Sequence, residues 1–323
     1  MFPSGLSMLW ERDHAPDALH ARFGFTDVDE ATGWLTGTLR REWGLSVVDC
    51  ERVLISDHNA IAWVRTDASR LVVKVGSNAS AFERLAAIAD VLGDLDAAGL
   101  PVAAPLPSIG GARRVVDHTD RPLSVVVQPF VEGDLLDTTD AAAVRAAGTA
   151  LAHLHEATAG LPTAGVTVNR SVPEPDLRRR LLTGIDTARS ERAPRAGARL
   201  AQLLVELPDI DTAPQLIHSD YRGTNIVMSG ARVAAILDFD EMTVDHRVYD
   251  VARAAVNLAT RFRSWRPTTP DVRAQFLAGY RSGGVLTDRE EGWLEAFILW
   301  MGVGSVPPGD DPDGWADAVE HGL

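Results

Sequence analysis

Three oxygen-bearing side chains and one ammonium stand out in the sequence by type and spacing. Residues 216–228 read LIHSDYRGTNIVM: an apolar run, a polar turn holding Asp220 and Asn225, and a second apolar run. Residues 233–241, VAAILDFDE, form a further apolar run ending in two carboxylates, Asp238 and Asp240. Read as strands joined by turns, the two segments predict a hairpin that gathers Asp220, Asn225 and Asp238 on one rim. Far upstream, LVVKVG at 71–76 places Lys74, the only lysine among 31 basic side chains, inside an apolar strand. A codon bias toward arginine could leave one such survivor. Against that reading, an ammonium in an apolar strand carries a desolvation cost, and a compact point charge does not substitute for a forked guanidinium.

These residue types suit phosphoryl transfer, which asks for positioning and charge neutralisation more than for covalent chemistry. Asn225 and Asp238 offer the hard oxygen ligands that Mg2+ takes. Asp220 is placed to receive the proton of an attacking hydroxyl. Lys74, from its distant strand, would neutralise nucleotide phosphates.

The elements that must position these groups follow from periodicity. Residues 26–43 carry an N-cap signal and spaced apolar positions, which predict a helix. CERVLIS, AIAWVRT and LVVKVG read as strands separated by the turns SDHN and TDASR, and AFERLAAIADVLGDLDAAG reads as a helix closed by glycine. Strands are predicted again near 113–117 and 123–128. PFVEGD then breaks the pattern, and the chain to about residue 210 reads as mostly helical, with TTDAAAVRAAGTALAHLHEA the clearest helix and the Pro-rich 157–176 stretch a loop. A strand-rich part thus precedes a mainly helical one, joined near residue 130.

On these residues the sequence resembles the aminoglycoside phosphotransferase-like kinases, relatives of choline, homoserine and fructosamine kinases. HSDYRGTN, His218 to Asn225, is similar to the family's His-Gly-Asp-x-x-x-x-Asn loop, and ILDFDE looks like its Ile-Asp-Phe-Asp metal strand, with thirteen residues from Asn225 to Asp238. YDVARA, Tyr249 to Ala254, resembles the helix whose aspartate, here Asp250, supports the loop. LVVKVG matches the strand bearing the phosphate lysine, GLPVAAPL the segment after the first-lobe helix, and VQPFVEGDLL the hinge, with Gln128 and Phe130, that receives the adenine. The matches run in order from about residue 50 to 255.

The resemblance implies an α+β, protein-kinase-like bilobal fold. A small antiparallel N-lobe would span residues 1–130, with a helical extension over 1–45, and a larger, mainly helical lobe would span 131–323. It implies ATP as donor, with GTP as the alternative, together with Mg2+ and a small-molecule hydroxyl acceptor. Departures from the family pattern are Ser219 in place of glycine and a first turn, SDHNA, with no glycine, although Asn59 matches an asparagine common there. The partner of Lys74 is assigned to Glu83, with Asp90, two turns further along the same face, as the alternative. Asp240 is a second metal or substrate ligand or a loop cap; His218 is a hydrogen-bonding loop residue rather than a base. His153 and His155 read as packing residues, and Trp293, Phe297 and Trp300, on one helical face, read as core rather than substrate wall.

Bulk properties narrow the partners. A net charge of −14 and a pI near 5.0 argue against nucleic acid or an anionic membrane as partner. The lone Cys50 excludes an internal disulfide and a cysteine zinc site. No apolar run approaches membrane-spanning length and no secretory signal is visible, which predicts a cytoplasmic protein. Residues 240–323 hold 14 Asp/Glu against 8 Arg, so a cationic acceptor of the aminoglycoside, amino sugar or amino alcohol type is one reading and solvated helix faces are the other. Only eleven residues separate Asp238 from Asp250, with no Ala-Pro-Glu sequence, which disfavours a protein kinase. A non-catalytic nucleotide-binding module is the remaining alternative.

Overall fold

The computed structural model describes residues 5–117, 121–166, 177–183, 187–262 and 264–322. The chain divides into two compact units, Met1–Val131 and Glu132–Leu323.

The first unit is built on a six-stranded sheet. Its elements are β1 (Leu6–Met8), α1 (Ala15–Phe23), α2 (Val28–Trp43), β2 (Val47–Ser56), β3 (Asn59–Thr66), β4 (Arg70–Gly76), α3 (Phe82–Ala97), β5 (Val115–Asp117) and β6 (Leu123–Pro129). The sheet order is β1-β2-β3-β4-β6-β5, antiparallel throughout except that β1 lies parallel to β2. The periodicity of residues 5–25 did not announce β1 or α1; a three-residue strand and a nine-residue helix are too short to show a period. The α2 helix starts where Asp27 accepts the Glu30 N–H and stops at Gly44, whose φ of 68° is the left-handed cap that glycine adopts without strain.

Strand alternation sorts the sheet into two faces. Ala60, Ala62, Val64, Leu71, Val73, Val75, Leu123, Val125 and Val127 form one face and join Leu19, Phe23, Leu35 and Leu39 of α1 and α2 in a single core. The opposite face carries the intervening residues, Asn59, Ile61, Lys74, Gly76, Val126 and Gln128 among them. Lys74 therefore sits in an apolar strand without entering that core. Cys50 does enter it, and burial pushes its thiol pKa up to about 11.

The second unit contains β7 (Asp134–Leu135), α4 (Ala141–Thr158), α5 (Leu177–Thr183), α6 (Thr187–Glu191), α7 (Pro194–Glu206), β8 (Gln215–Ile217), β9 (Ile226–Ser229), β10 (Arg232–Ile236), β11 (Thr243–Asp245), α8 (Arg247–Asn257), α9 (Pro270–Gly283), α10 (Asp288–Ser305) and α11 (Trp315–Gly322). Two small sheets, β10-β9-β7 and β11-β8, hold the segments between the helices. The stretch expected as a Pro-rich loop begins with the end of α4, and its residues 167–176 lie outside the described residues. No described helix is long and apolar enough to cross a membrane.

Helices α4 and α9 approach through glycine. A Cβ at Gly279 would overlap the Arg145 carbonyl oxygen; one at Gly148 would overlap that of Phe276 and stand 2.7 Å from the Tyr280 nitrogen. Gly279→Ala is expected to destabilise the protein by about 1–3 kcal/mol, because the helices must separate to admit a methyl. Thermal unfolding checks it, and an unchanged midpoint would contradict this packing.

Candidate active site

The segment after β8 is held from below by a buried carboxylate. Asp250 of α8 is fully buried; its two oxygens accept the backbone N–H groups of His218 and Ser219, each at 2.9 Å. The His155 Nε2 lies 3.1 Å from the same carboxylate, and its Nδ1 lies 2.9 Å from the Tyr280 hydroxyl. A carboxylate only accepts, so the His155 Nε2 carries a proton. Burial opposes charge on Asp250, but the His155 hydrogen bond, the nearby histidines and the His218 amide outweigh it and hold its pKa below the ordinary aspartate value. The α4–α9 glycine contact brings Tyr280 to this chain of bonds. With these amides pinned, Ser219 takes φ 65°, a left-handed conformation that is strained for a residue with a Cβ.

Asp220 follows directly. Its Oδ2 accepts from the Asn225 Nδ2 at 2.9 Å and from the Arg222 Nε at 3.2 Å. Burial raises its pKa above the usual aspartate value against the pull of Arg222, His218 and Arg253, and the charge of Asp238 adds to the rise. The Asn225 Nδ2 also donates to the Asp220 carbonyl at 2.9 Å, which turns its amide nitrogen toward the loop and leaves its Oδ1 as the remaining ligand atom.

Asn225 and Asp238 flank the open end of the β9–β10 hairpin, where Ile226 pairs with Ile236 and the Leu237 N–H donates to the Asn225 carbonyl at 2.8 Å. Asp238 is exposed and also left-handed, at φ 59°. His218 links the two segments. The Asp220 N–H donates to its Nδ1 at 3.1 Å, so its Nε2 donates to the Leu237 carbonyl at 2.9 Å, and its ring packs 4.4 Å from that of Phe239. A base would need a free ring nitrogen, and both are engaged. Asp240, one residue beyond Phe239, is half-buried.

No group of three or more His, Cys, Asp or Glu among the described residues stands ready as a metal cage. One amide oxygen and one exposed carboxylate are nevertheless a donor set that fits Mg2+, which keeps water and substrate phosphate in its shell.

In the first unit, Lys74 is 9% exposed and stands between Ile61 and Val126 in the sheet register. Asn59 opens β3 opposite Gly76 and shares the Lys74 face. Gln128 lies on that face as well, with its amide donating to the Ala103 carbonyl; the Phe130 ring lies 3.8 Å beneath the Arg70 guanidinium. Glu83 and Asp90 are both exposed on α3. The glycine-free turn after β2 is tied to the N-terminal segment, since the Asp57 N–H donates to the Glu11 carboxylate at 2.6 Å.

Beside Asp220 the second unit holds a cavity of about 310 Å³, lined by Asp220, Arg222, Tyr249, Arg253, Trp265 and Trp300 among others. Tyr249, Arg253 and Asn257 line it at four-residue spacing, one stripe of α8. The four-residue spacing of that stripe, which flanks Asp250 in sequence, is the signal that marks it. Trp300 departs from the expected core role: Trp293 and Phe297 are buried, whereas Trp300 is half-buried and lines the cavity. The packing role expected of His153 and His155 also divides, since His153 is exposed and His155 is the buried partner of Asp250.

The profile of the phosphotransferase enzyme family matches residues 52–294. The human protein acyl-CoA dehydrogenase family member 11 is 30% identical over 108 residues, which is 33% of this chain and only 13% of that protein. Among solved structures, an amicoumacin kinase in complex with AMP-PNP and Ca2+ aligns with a TM-score of 0.64 at 15% identity, covering 94% of this chain and 95% of that one. A microcompartment-associated aminopropanol kinase aligns at 0.59 with 21% identity, covering 89% and 93%. A spectinomycin phosphotransferase with ADP and spectinomycin aligns at 0.59 with 13% identity, covering 84% and 85%. The match to the family profile spans most of the chain, and the chain belongs to the phosphotransferase enzyme family, with a protein-kinase-like fold.

Proposed function

We propose that the protein transfers the γ-phosphoryl group of ATP to a hydroxyl of a small molecule, with Asp220 as the base. Asn225 and Asp238 would hold Mg2+, and Lys74 would neutralise the nucleotide phosphates. Asn59, Gln128 and Phe130 would line the nucleotide site, with Glu83 or Asp90 orienting Lys74, and GTP is the alternative donor. The units 1–130 and 131–323 would serve as nucleotide lobe and as catalytic and acceptor lobe. The observation that carries this reading is the loop itself. A buried Asp250 pins the two amides before Asp220, and Asp220 then borders both Asn225 and a cavity of substrate size.

The acceptor oxygen forms a bond to the γ-phosphorus as the bond from that phosphorus to the bridging oxygen of ADP breaks. The hydroxyl proton passes to the Asp220 carboxylate. A bound Mg2+ supplies neutralisation of the phosphate charge. Arg222 and Asn225 fix the Asp220 rotamer, so the base is oriented before the acceptor arrives.

The test is ADP formation with ATP or GTP across hydroxyl acceptors: aminoglycosides, amino sugars, amino alcohols and neutral alcohols, with and without EDTA. Acceptor-dependent turnover abolished by EDTA supports the reading. Nucleotide binding without transfer to any acceptor favours a non-catalytic module. Lys74→Arg is expected to lower turnover by about 10-fold or more, since a guanidinium fork replaces a point charge in a buried strand position. Wild-type turnover in that variant would return Lys74 to codon bias.

A further inference from the structure

We propose that the acceptor carries an oxyanion, a carboxylate or a phosphate, which seats on Arg253 with Arg222 beside it. This deepens the phosphotransferase reading and rests on it. The charged side chains lining the cavity are Asp220, Arg222 and Arg253, so the lining is net positive in a chain whose net charge is −14. None of the 14 acidic residues of 240–323 lines it. Several of those acids are engaged elsewhere: Glu290 pairs with Arg247, Glu291 with Arg281, Asp245 with Arg180 and Glu295 with Arg199, while Asp311 and Glu320 cap backbone amides. The acidic stretch therefore does not furnish a seat for a polycation at this cavity.

Arg253 is the unusual member. Arg222 is paired with Asp220 and lies 5.5 Å from the Trp265 ring centroid. Among the described residues none forms a hydrogen bond or ion pair with the Arg253 guanidinium, although it is only partly exposed. Its charge also pulls down the pKa of Asp220, which weakens a base. An acceptor anion on Arg253 offsets that pull, and the planar fork matches a carboxylate or phosphate bidentately. Trp265, 52% exposed, and Trp300 supply apolar walls for the body of the ligand. A volume of about 310 Å³ stands at the small end of ligand sites and suits a compact ring or short chain.

The experiment uses four probes that share one ring and one hydroxymethyl group: para-(hydroxymethyl)benzoate, its amide, the corresponding benzylamine, and para-(hydroxymethyl)phenyl phosphate. Calorimetry on the full chain with ATP analogue bound measures affinity, and ADP formation with ATP measures transfer. An anionic probe is expected to bind about tenfold or more tighter than the amine, and the carboxylate and phosphate arms identify the preferred anion. Arg253→Gln is expected to abolish that ratio and Arg253→Lys to retain part of it, with circular dichroism confirming that each variant folds. Absence of an anion preference, whether through equal binding, amine preference or no binding, overturns the proposal. So does an unchanged ratio in Arg253→Gln. Transfer to amine or amide with no anion preference overturns the oxyanion alone, whereas anion binding without transfer to any acceptor counts against the phosphotransferase reading and not against the seat.

Discussion

Asp220→Asn is expected to lower kcat by about a hundred- to ten-thousand-fold, the range that a positioned base contributes, while leaving nucleotide binding in place. The substitution suits the site because an asparagine carbonyl still accepts from Asn225 and Arg222, as the Asp220 Oδ2 does. It should not cost stability. Burial raises the folded pKa of Asp220 above the ordinary aspartate value, so the folded state holds this proton more tightly than the unfolded chain does. Stability from this group is present below the unfolded pKa and is lost as pH rises through the folded one. At neutral pH the ionised carboxylate is therefore a small liability, and the variant should melt at the wild-type temperature or above it. The same shift sets the rate profile of the wild type. Turnover should fall on acidification with an apparent pKa above the ordinary aspartate value, since only the ionised carboxylate accepts the hydroxyl proton. Activity within tenfold of wild type in Asp220→Asn would remove Asp220 from the base role.

Asp250→Ala is expected to destabilise the protein by about 3–5 kcal/mol, the cost of deleting one member of a buried charged network. Three donors lose their acceptor at once: the His218 and Ser219 amides and the His155 ring. Each buried orphan costs about 1–3 kcal/mol, so the lower end of that range already assumes that water reaches the gap. The pH dependence has the opposite sign to that of Asp220. The folded pKa of Asp250 is depressed, so its stabilisation is present above the unfolded pKa and is lost as pH falls through the folded one. Acid unfolding should thus start nearer neutrality in Asp250→Ala and lose part of its steepness. Urea melts of both proteins across pH 3 to 7 would show this; parallel curves separated by less than ~1 kcal/mol would remove Asp250 as the anchor of the loop.

Much of the fold was legible because the relevant signals are local. β2, β3 and β4 alternate or run apolar between turn residues, and α2 carries an aspartate cap at one end and glycine at the other. The segments not legible in the sequence have no period long enough to read, as with β1, or depend on another chain segment, as with the three-residue β11, which forms only by pairing with β8. The site divides in the same way. Asp220, Asn225 and Asp238 stand out because a hairpin forces residues at its open end together whatever surrounds it. His155 reads from sequence as a packing residue, and Tyr280 and Arg253 carry no signal, because nothing near them in sequence gives them a partner. His155 meets Asp250 across 95 positions and Tyr280 across 125, and only the packing of α4 on α8 and α9 joins them.

The sequence by itself determined the element types, the strand faces and the hairpin that presents the acidic and amide oxygens, all set by spacing along one stretch of backbone. Tertiary structure alone decided which carboxylate is ionised and anchoring, which is raised and poised, and which arginine is left facing a cavity. Those properties arise from burial and from partners far away along the chain, and a pKa or an unpaired charge exists only once the neighbours that exclude water are in place.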